Sequence, residues 1–276
     1  AWAAGDSQAR GFLIGATSGR TTLNGEGLQH QDGHSHLQAA TIPNCVSYDP
    51  TYGYELDVII QDGMRRMYEE RENCFYYITT MNENYPHPEM PAGAEEGIVR
   101  GMYRLRPSPR KEGPRVQLCG AGAILREVEA AAEMLAEDYG VAADLWSVTS
   151  VNELARDGRA CERWNRLHPE AEPRLPYLTG LLSGGGPTIM ATDYITPYTE
   201  QLRAYVPGRY TALGTDGFGR SDTRHKLRHF FEVSREFVVL AALGALAAEG
   251  EMELERVIEA RSGLGIDPEK IDPMRA

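Results

Sequence analysis

Arg115-Val116-Gln117-Leu118-Cys119-Gly120-Ala121-Gly122 opens the stretch that decides the fold, RVQLCGAGAILREVEAAAEMLAEDYGVAADLWSV over residues 115–148. Its first five residues read as a strand, and Gly120-Ala121-Gly122 as a tight turn. Beyond the turn Ile124, Val128, Ala131 and Leu135, with Met134 at the margin, recur at helical spacing until Gly140 stops the helix. Residues 142–148 form the next strand. Ser150, with Glu153 three residues on, marks the capped start of a further helix through Leu154. Residues 187–191, 197–205, 210–213 and 224–231 continue the alternation, and helices near 237–248 and 251–260 end the chain. Strand–helix–strand repetition with crossovers of this length implies a mostly parallel sheet covered on both faces. From about residue 94 onward the expected architecture is therefore three-layer α/β.

Upstream, Gly11-Phe12-Leu13-Ile14 is a short strand, and residues 45–48 are another. A helix follows with Leu56, Ile59, Ile60, Gly63, Met64 and Met67 expected on one face, then a β-prone strand over residues 73–81. The segment NYPHPEMPAG (84–93), with three prolines and a glycine, reads as a linker. A separate parallel sheet is expected beyond it. The chain starts at Ala1 without an initiator Met and reads as an internal piece of a longer protein.

Composition narrows the function. In 276 residues, 42% apolar and 25% charged side chains are the mixture of a globular protein with a real core. Forty Asp+Glu against 28 Lys+Arg give −12, which disfavours phosphate backbones and anionic membrane surfaces as partners. The basic run Arg224-His225-Lys226-Leu227-Arg228 reads as a solvated helix face. No apolar run approaches the roughly 18 residues that span a bilayer. Cys45, Cys74, Cys119 and Cys161 include no C-x-x-C pair, which points to reduced thiols and a cytoplasmic setting rather than a disulfide frame or zinc site.

Cys119-Gly120-Ala121-Gly122 sits where a dinucleotide fold places its glycine turn, but Leu125 stands at the third glycine position, so the turn reads as a plain βα connection. The long segment between the first two strands is more informative. Residues 15–41 hold five glycines and three histidines, and a connection of that length is usually functional or mobile. Within it TSGRTTLNGEGLQHQDGHSH (17–36) brings imidazole, carboxylate and flexible glycine together. His30, His34 and His36 with Asp32 have ligand chemistry suited to zinc or iron, but their spacing matches no closed site and no fourth ligand stands out. A loop facing a substrate fits better, because imidazoles donate hydrogen bonds and move protons near neutral pH. A plain solvated connection is the bland alternative.

GFLIG (11–15), the 17–36 segment and TIPNC (41–45) together resemble the homodimeric bacterial pyruvate dehydrogenases, the thiamine-diphosphate-dependent first component of the pyruvate dehydrogenase complex. The resemblance continues through NENY (82–85), AEEG (94–97), TSVNELARDGRACERWNRLHP (149–169) and LGTDGFGRSD (213–222), in the family's order. The shorter Asp32-Gly33-x-x-His36 element is shared by the wider transketolase superfamily. The resemblance implies that residues 1–90 are the remainder of a thiamine pyrimidine-binding domain and residues 91–276 a transketolase-like C-terminal domain. It implies decarboxylation of pyruvate, acetyl transfer to lipoamide, a homodimer, and a dihydrolipoyl acetyltransferase partner. Thiamine diphosphate and magnesium would be held mainly by parts of the family's longer chains that lie outside this one. His30 matches the histidine facing the bound pyruvate or its adduct. Glu26 lies in the same pattern near the cavity and the subunit boundary, and His36 resembles the donor-substrate histidine of transketolases. His87, in a stretch expected to vary, receives no role. The rival reading is a non-catalytic assembly or dimerisation module.

Overall fold

A computed structural model describes all 276 residues. A short helix α1 (Trp2–Asp6) precedes strand β1 (Phe12–Gly15), followed by α2 (Ser35–Ala40), β2 (Cys45–Tyr48), α3 (Gly53–Met64) and β3 (Phe75–Thr79). The three strands form a parallel sheet in the order β1-β3-β2, with Phe12 opposite Tyr76 and Cys45 opposite Phe75. The expected strand over 73–81 is thus shorter by two residues at each end.

α3 differs from expectation on one side. Its chain runs on into a wide π turn, Arg65–Glu69. Ile59, Gly63 and Met67 are buried, whereas Met64 is 48% exposed. Residues four apart hold the buried stripe, and Met64, one position further round, rotates out of it.

After a stretch without regular structure come α4 (Glu95–Arg100), β4 (Met102–Arg106), β5 (Arg115–Gly120), α5 (Leu125–Asp138) and β6 (Ala142–Val148). Then follow α6 (Val151–Leu167), α7 (Tyr177–Leu181), β7 (Thr188–Ala191), α8 (Thr196–Glu200), β8 (Tyr210–Leu213), α9 (Arg224–Phe230), α10 (Arg235–Ala248) and α11 (Leu254–Gly263). The five strands order as β4-β6-β5-β7-β8, all parallel except β4, which runs antiparallel on the edge beside β6. Sequence reading missed β4. MYRLR alternates polar and apolar residues for only five positions, and an edge strand needs just one apolar face.

Period-two alternation distributes this sheet's side chains. Val116, Leu118, Leu145, Ile189 and Ala191 join the core beneath α5, α10 and α11. Cys119, Trp146, Val148 and Met190 face the opposite core with α6, α7 and α8. The three-layer reading is correct. The apolar run at 237–248 is the buried helix α10, and no helix is long and apolar enough to cross a membrane. Ser150 caps α6 by accepting from Glu153 N at 3.1 Å, and that helix runs on well past Leu154, to Leu167.

Gly120 explains the tight βα turn. A Cβ there would stand 2.6 Å from the Leu125 Cα and 3.0 Å from its Cδ1, so the strand packs tightly on the helix start at Gly120, and a fully buried leucine occupies the position where the dinucleotide pattern needs its third, packing glycine.

The two sheets meet at the carboxyl ends of β2 and β6. Asp49 N donates to Thr149 O at 2.8 Å, Ser150 Oγ to Ser47 O at 2.6 Å, and Asn152 Nδ2 to Ser47 Oγ at 2.7 Å. Glu55, buried in the first turn of α3, accepts from Ser147 Oγ at 2.6 Å and Tyr103 OH at 2.7 Å, as well as from the backbone of Thr51 and Tyr52.

Two glycines make a stability test. Gly120→Ala forces backbone against backbone and should destabilise by about 1–3 kcal/mol. Gly244→Ala, in α10 with nothing within 4 Å of the added carbon, should be neutral or stabilising by up to about 1 kcal/mol. Urea unfolding of both variants checks the pair, and equal effects would refute this account of the turn.

Candidate active site

Parallel sheets gather ligands at the carboxyl ends of their strands, where loops leave the core and helices begin. Here those ends carry Gly15, Asp49 and Thr79, and the long segment leaving β1 passes over them. It is fastened at several points. Ser18 N and Oγ both donate to Thr80 O, at 3.0 and 2.9 Å. Thr21 N donates to both carboxylate oxygens of Asp193 at 3.1 Å, and Ile195 N donates to Gly33 O at 2.9 Å. Ser18, Arg20, Thr21, Thr22 and Gln31 are buried. The expected long, irregular connection is therefore mostly anchored backbone, it ends in helix α2, and its longest exposed stretch is the tip at residues 24–30, where only Gly27 is buried.

That tip holds Glu26 and His30. Gly25 and Gly27 flank Glu26 with φ of +84° and +82°, a left-handed conformation that glycine adopts without strain. The sharp turn brings His30 Nε2 to 3.8 Å from Glu26 Oε2, with the side chains 54% and 53% exposed. His34 is exposed at the start of α2, where its backbone N–H donates to Asp32 Oδ1 at 3.1 Å.

His36 lies elsewhere. It is 0% exposed, and no hydrogen bond or ion pair joins it to His30 or Glu26. Its ring stacks on Tyr198 at 5.1 Å and meets Tyr194 edge-on at 4.7 Å. Thr79 Oγ1 donates to Asp49 Oδ1 at 2.7 Å, so His36 Nε2, 2.9 Å from the same hydroxyl, serves as the donor to it. With Asp49 ionised, this places the proton on Nε2 and leaves Nδ1 without a partner. Burial pushes the imidazole down to about 4 and Asp49 up to about 7, so His36 is neutral at pH 7. Burial likewise drives Asp193 up to about 7.

Sequence reasoning missed the groups that hold this region together. Arg20, Asp49, Thr79 and Asp193 sit apart in the sequence and carry no motif spacing. Arg20 is 7% exposed, and burial weakens its hold on its proton. Gly33 admits it, because a Cβ there would overlap the guanidinium. No group of three or more His, Cys, Asp or Glu side chains converges anywhere in the chain, and the donor set around His30, His34, His36 and Asp32 does not assemble into a metal site.

Two α/β sheets meeting at their strand ends, with a polar segment laced across the junction, define a transketolase-like fold. Solved transketolases match it: that of Campylobacter jejuni with a TM-score of 0.59 and 16% identity over 84% of this chain and 31% of its own. That of Pichia stipitis gives 0.61 and 16% over 95% and 32%. A split-gene transketolase described as an inactive beta4 tetramer gives 0.57 and 17% over 86% and 66%. The pyruvate dehydrogenase E1 component middle domain matches residues 1–88, and the transketolase-like C-terminal domain matches residues 101–234. The chain is 62% identical over 276 residues to the pyruvate dehydrogenase E1 component of Pseudomonas aeruginosa, and 59% over 277 to that of Escherichia coli K12. It belongs to the pyruvate dehydrogenase E1 component family, and spans 31% of the length of those two relatives.

The buried imidazole makes a pH test. A folded pKa near 4 against 6.5 unfolded means that stability from His36 is present above 6.5 and is lost as pH falls toward 4, by up to about 3 kcal/mol. Asp49 and Asp193, raised by burial, act with the opposite sign in an overlapping window. The readout is therefore the difference between the full-length protein and its His36→Phe variant. That variant should be less stable at pH 7, and the gap should narrow on acidification in chemical-denaturation curves. A pH-independent gap would remove the desolvated imidazole from the account.

Proposed function

We propose that this chain is the pyruvate-binding side of a thiamine-diphosphate-dependent pyruvate dehydrogenase E1 component, which decarboxylates pyruvate and passes the acetyl group to lipoamide. The observation that carries the reading is the Glu26–His30 pair, 3.8 Å apart on an exposed, glycine-flanked tip whose flanking segments are fastened beside both sheets. On this reading residues 1–90 complete the pyrimidine-binding domain and residues 91–276 form the C-terminal domain. The working enzyme is a cytoplasmic homodimer that serves a dihydrolipoyl acetyltransferase.

Bound thiamine diphosphate supplies the electron sink that decarboxylation of a 2-keto acid needs. The chain's own residues do simpler work. His30 Nε2 donates a hydrogen bond to the carboxylate or keto oxygen of the substrate, and Glu26, 3.8 Å away, lies beside it on the same turn. The anchored flanks hold the pair still, so orientation is set before the substrate arrives. Magnesium belongs with the rest of the enzyme, since the acidic groups here do not converge. His36, neutral and enclosed by tyrosines, supports this surface by fixing α2 against β3 through Thr79, which is a different role from substrate contact.

The assembly-module reading draws support from the split-gene transketolase described as an inactive beta4 tetramer. The two readings agree on the isolated chain, which should form oligomers without turning over pyruvate. They differ on His30.

In the full-length enzyme, His30→Ala should remove one hydrogen bond to a charged group and lower activity with pyruvate about tenfold to a hundredfold. Thiamine diphosphate affinity and thermal stability should hold, and His34→Ala on the same segment should stay near wild type. Steady-state kinetics with pyruvate beside cofactor titration decides it. Full activity of the His30 variant would return the tip to a structural role.

A further inference from the structure

Gln31 follows His30 directly, yet it is 6% exposed while its neighbour stands in solvent. Its side-chain amide pairs with the backbone N–H and C=O of one residue, Arg220, on the segment between β8 and α9. Arg220 N donates to Gln31 Oε1 at 2.8 Å, and Gln31 Nε2 donates to Arg220 O at 2.6 Å. The second Nε2 hydrogen reaches Leu23 O at 3.2 Å. A primary amide presents an N–H and a C=O side by side, as one residue of an extended strand does, so this contact works as a single rung of β-ladder made by a side chain. All the amide's hydrogens are used, and both ends of the tip, Leu23 and Gln31, are tied to it.

Two neighbours tighten the joint. Gly25 N donates to Asp222 O at 3.1 Å, which brings the residue before Glu26 onto the same segment. Gly219 lies flat against the amide: a Cβ on it would stand 2.7 Å from Gln31 Oε1, 3.0 Å from Gln31 Cβ and 3.3 Å from Leu28 Cα. The tip that carries Glu26 and His30 therefore has little contact with the sheets themselves. Its orientation is taken from residues 219–222, nearly two hundred positions away in sequence.

We infer that Gln31 is a positioning residue for this site. It clamps the Glu26–His30 turn to residues 219–222 and so sets the direction in which the imidazole meets a 2-keto acid. The inference rests on the reading of His30 as the group that contacts substrate. Gln31 touches no reacting atom and acts only through the turn it holds. A buried amide with all its partners satisfied also costs free energy to disrupt, which gives the clamp one geometry rather than several.

Three variants of the full-length enzyme test it. Gln31→Leu keeps the volume and removes all three hydrogen bonds. It should lower kcat for pyruvate about tenfold to a hundredfold, the scale expected for a displaced catalytic group. Its KM should move little, its thermal midpoint should fall modestly, and hydrogen exchange should quicken in peptides covering 23–31 and 219–222. Gln31→Glu keeps the acceptor for Arg220 N but turns an oxygen with no hydrogen onto Arg220 O and Leu23 O, so it should share the loss in kcat. Gly219→Ala presses on the amide from the other side and should reproduce the Gln31→Leu loss. If Gln31→Leu does not fold, the glutamate and Gly219 variants carry the test: loss of kcat in either, with faster exchange in 23–31 and 219–222, supports the clamp, and full activity in both overturns it. Full activity of Gln31→Leu beside an impaired His30→Ala overturns the clamp and leaves His30 in place. Full activity of His30→Ala removes the site reading instead. The clamp is then judged by exchange alone, where unchanged protection in Gln31→Leu overturns it and faster exchange sustains it.

Discussion

One buried guanidinium ties four parts of this chain together. Arg228 on α9, with its side chain 6% exposed, binds Glu83 through two nitrogens, reaches Glu127 Oε1 on α5 at 3.2 Å, and donates through Nε to Thr21 Oγ1 at 3.3 Å. Glu83 follows β3 of the first sheet, Glu127 and Arg228 belong to the second, and Thr21 lies in the polar segment that bears the candidate site. Arg126 pairs with Glu83 at 3.0 Å and Arg235 with Glu127 at 2.9 Å, so neither carboxylate depends on Arg228 alone. Burial would push Glu127 up, but Arg235 and Arg228 outweigh it and hold the carboxylate below its usual range. Removing one member of such a network leaves an uncompensated buried charge, which costs about 3–5 kcal/mol. A planar fork with five donors suits this task, and the compact ammonium of a lysine does not.

The rest of the junction follows the same logic of satisfied polar groups in a dry place. Glu55 receives four hydrogen bonds, two from side chains of the second sheet and two from the backbone before α3. Where partners run short, protonation adjusts. His36 stays neutral, and Asp49 and Asp193 are held near 7 by burial. The outcome is a stiff polar interior beneath a small exposed tip, which suits a site that must present two side chains in a fixed geometry to a ligand arriving from outside.

The stretch 84–93 illustrates how a linker can also be structural. It has no helix or strand, as its prolines foretell, yet Tyr85 OH donates to Thr51 O and its ring lies beneath Arg126 at 4.5 Å. His87 stacks on Tyr85 at 5.0 Å and accepts from Gly53 N at 2.8 Å, at the start of α3. The segment therefore lies along the first sheet's helix instead of looping into solvent.

Sequence alone determined the elements whose signal is local. β5, α5 and β6 follow from one alternating stretch, because the periods of strand and helix are written in neighbouring residues. The glycine-rich segment was legible as a place where imidazole and carboxylate gather, and the family resemblance named Glu26 and His30 within it, but their pairing came from the fold. The sequence did not distinguish His30 from His36, since two imidazoles six residues apart look alike until burial separates them. Only the tertiary structure put one in solvent and the other between tyrosines. It alone joined Gln31 to Arg220 and Thr21 to Arg228, because hydrogen bonds between segments some two hundred residues apart depend on how two sheets dock, and docking leaves no periodic trace in the chain.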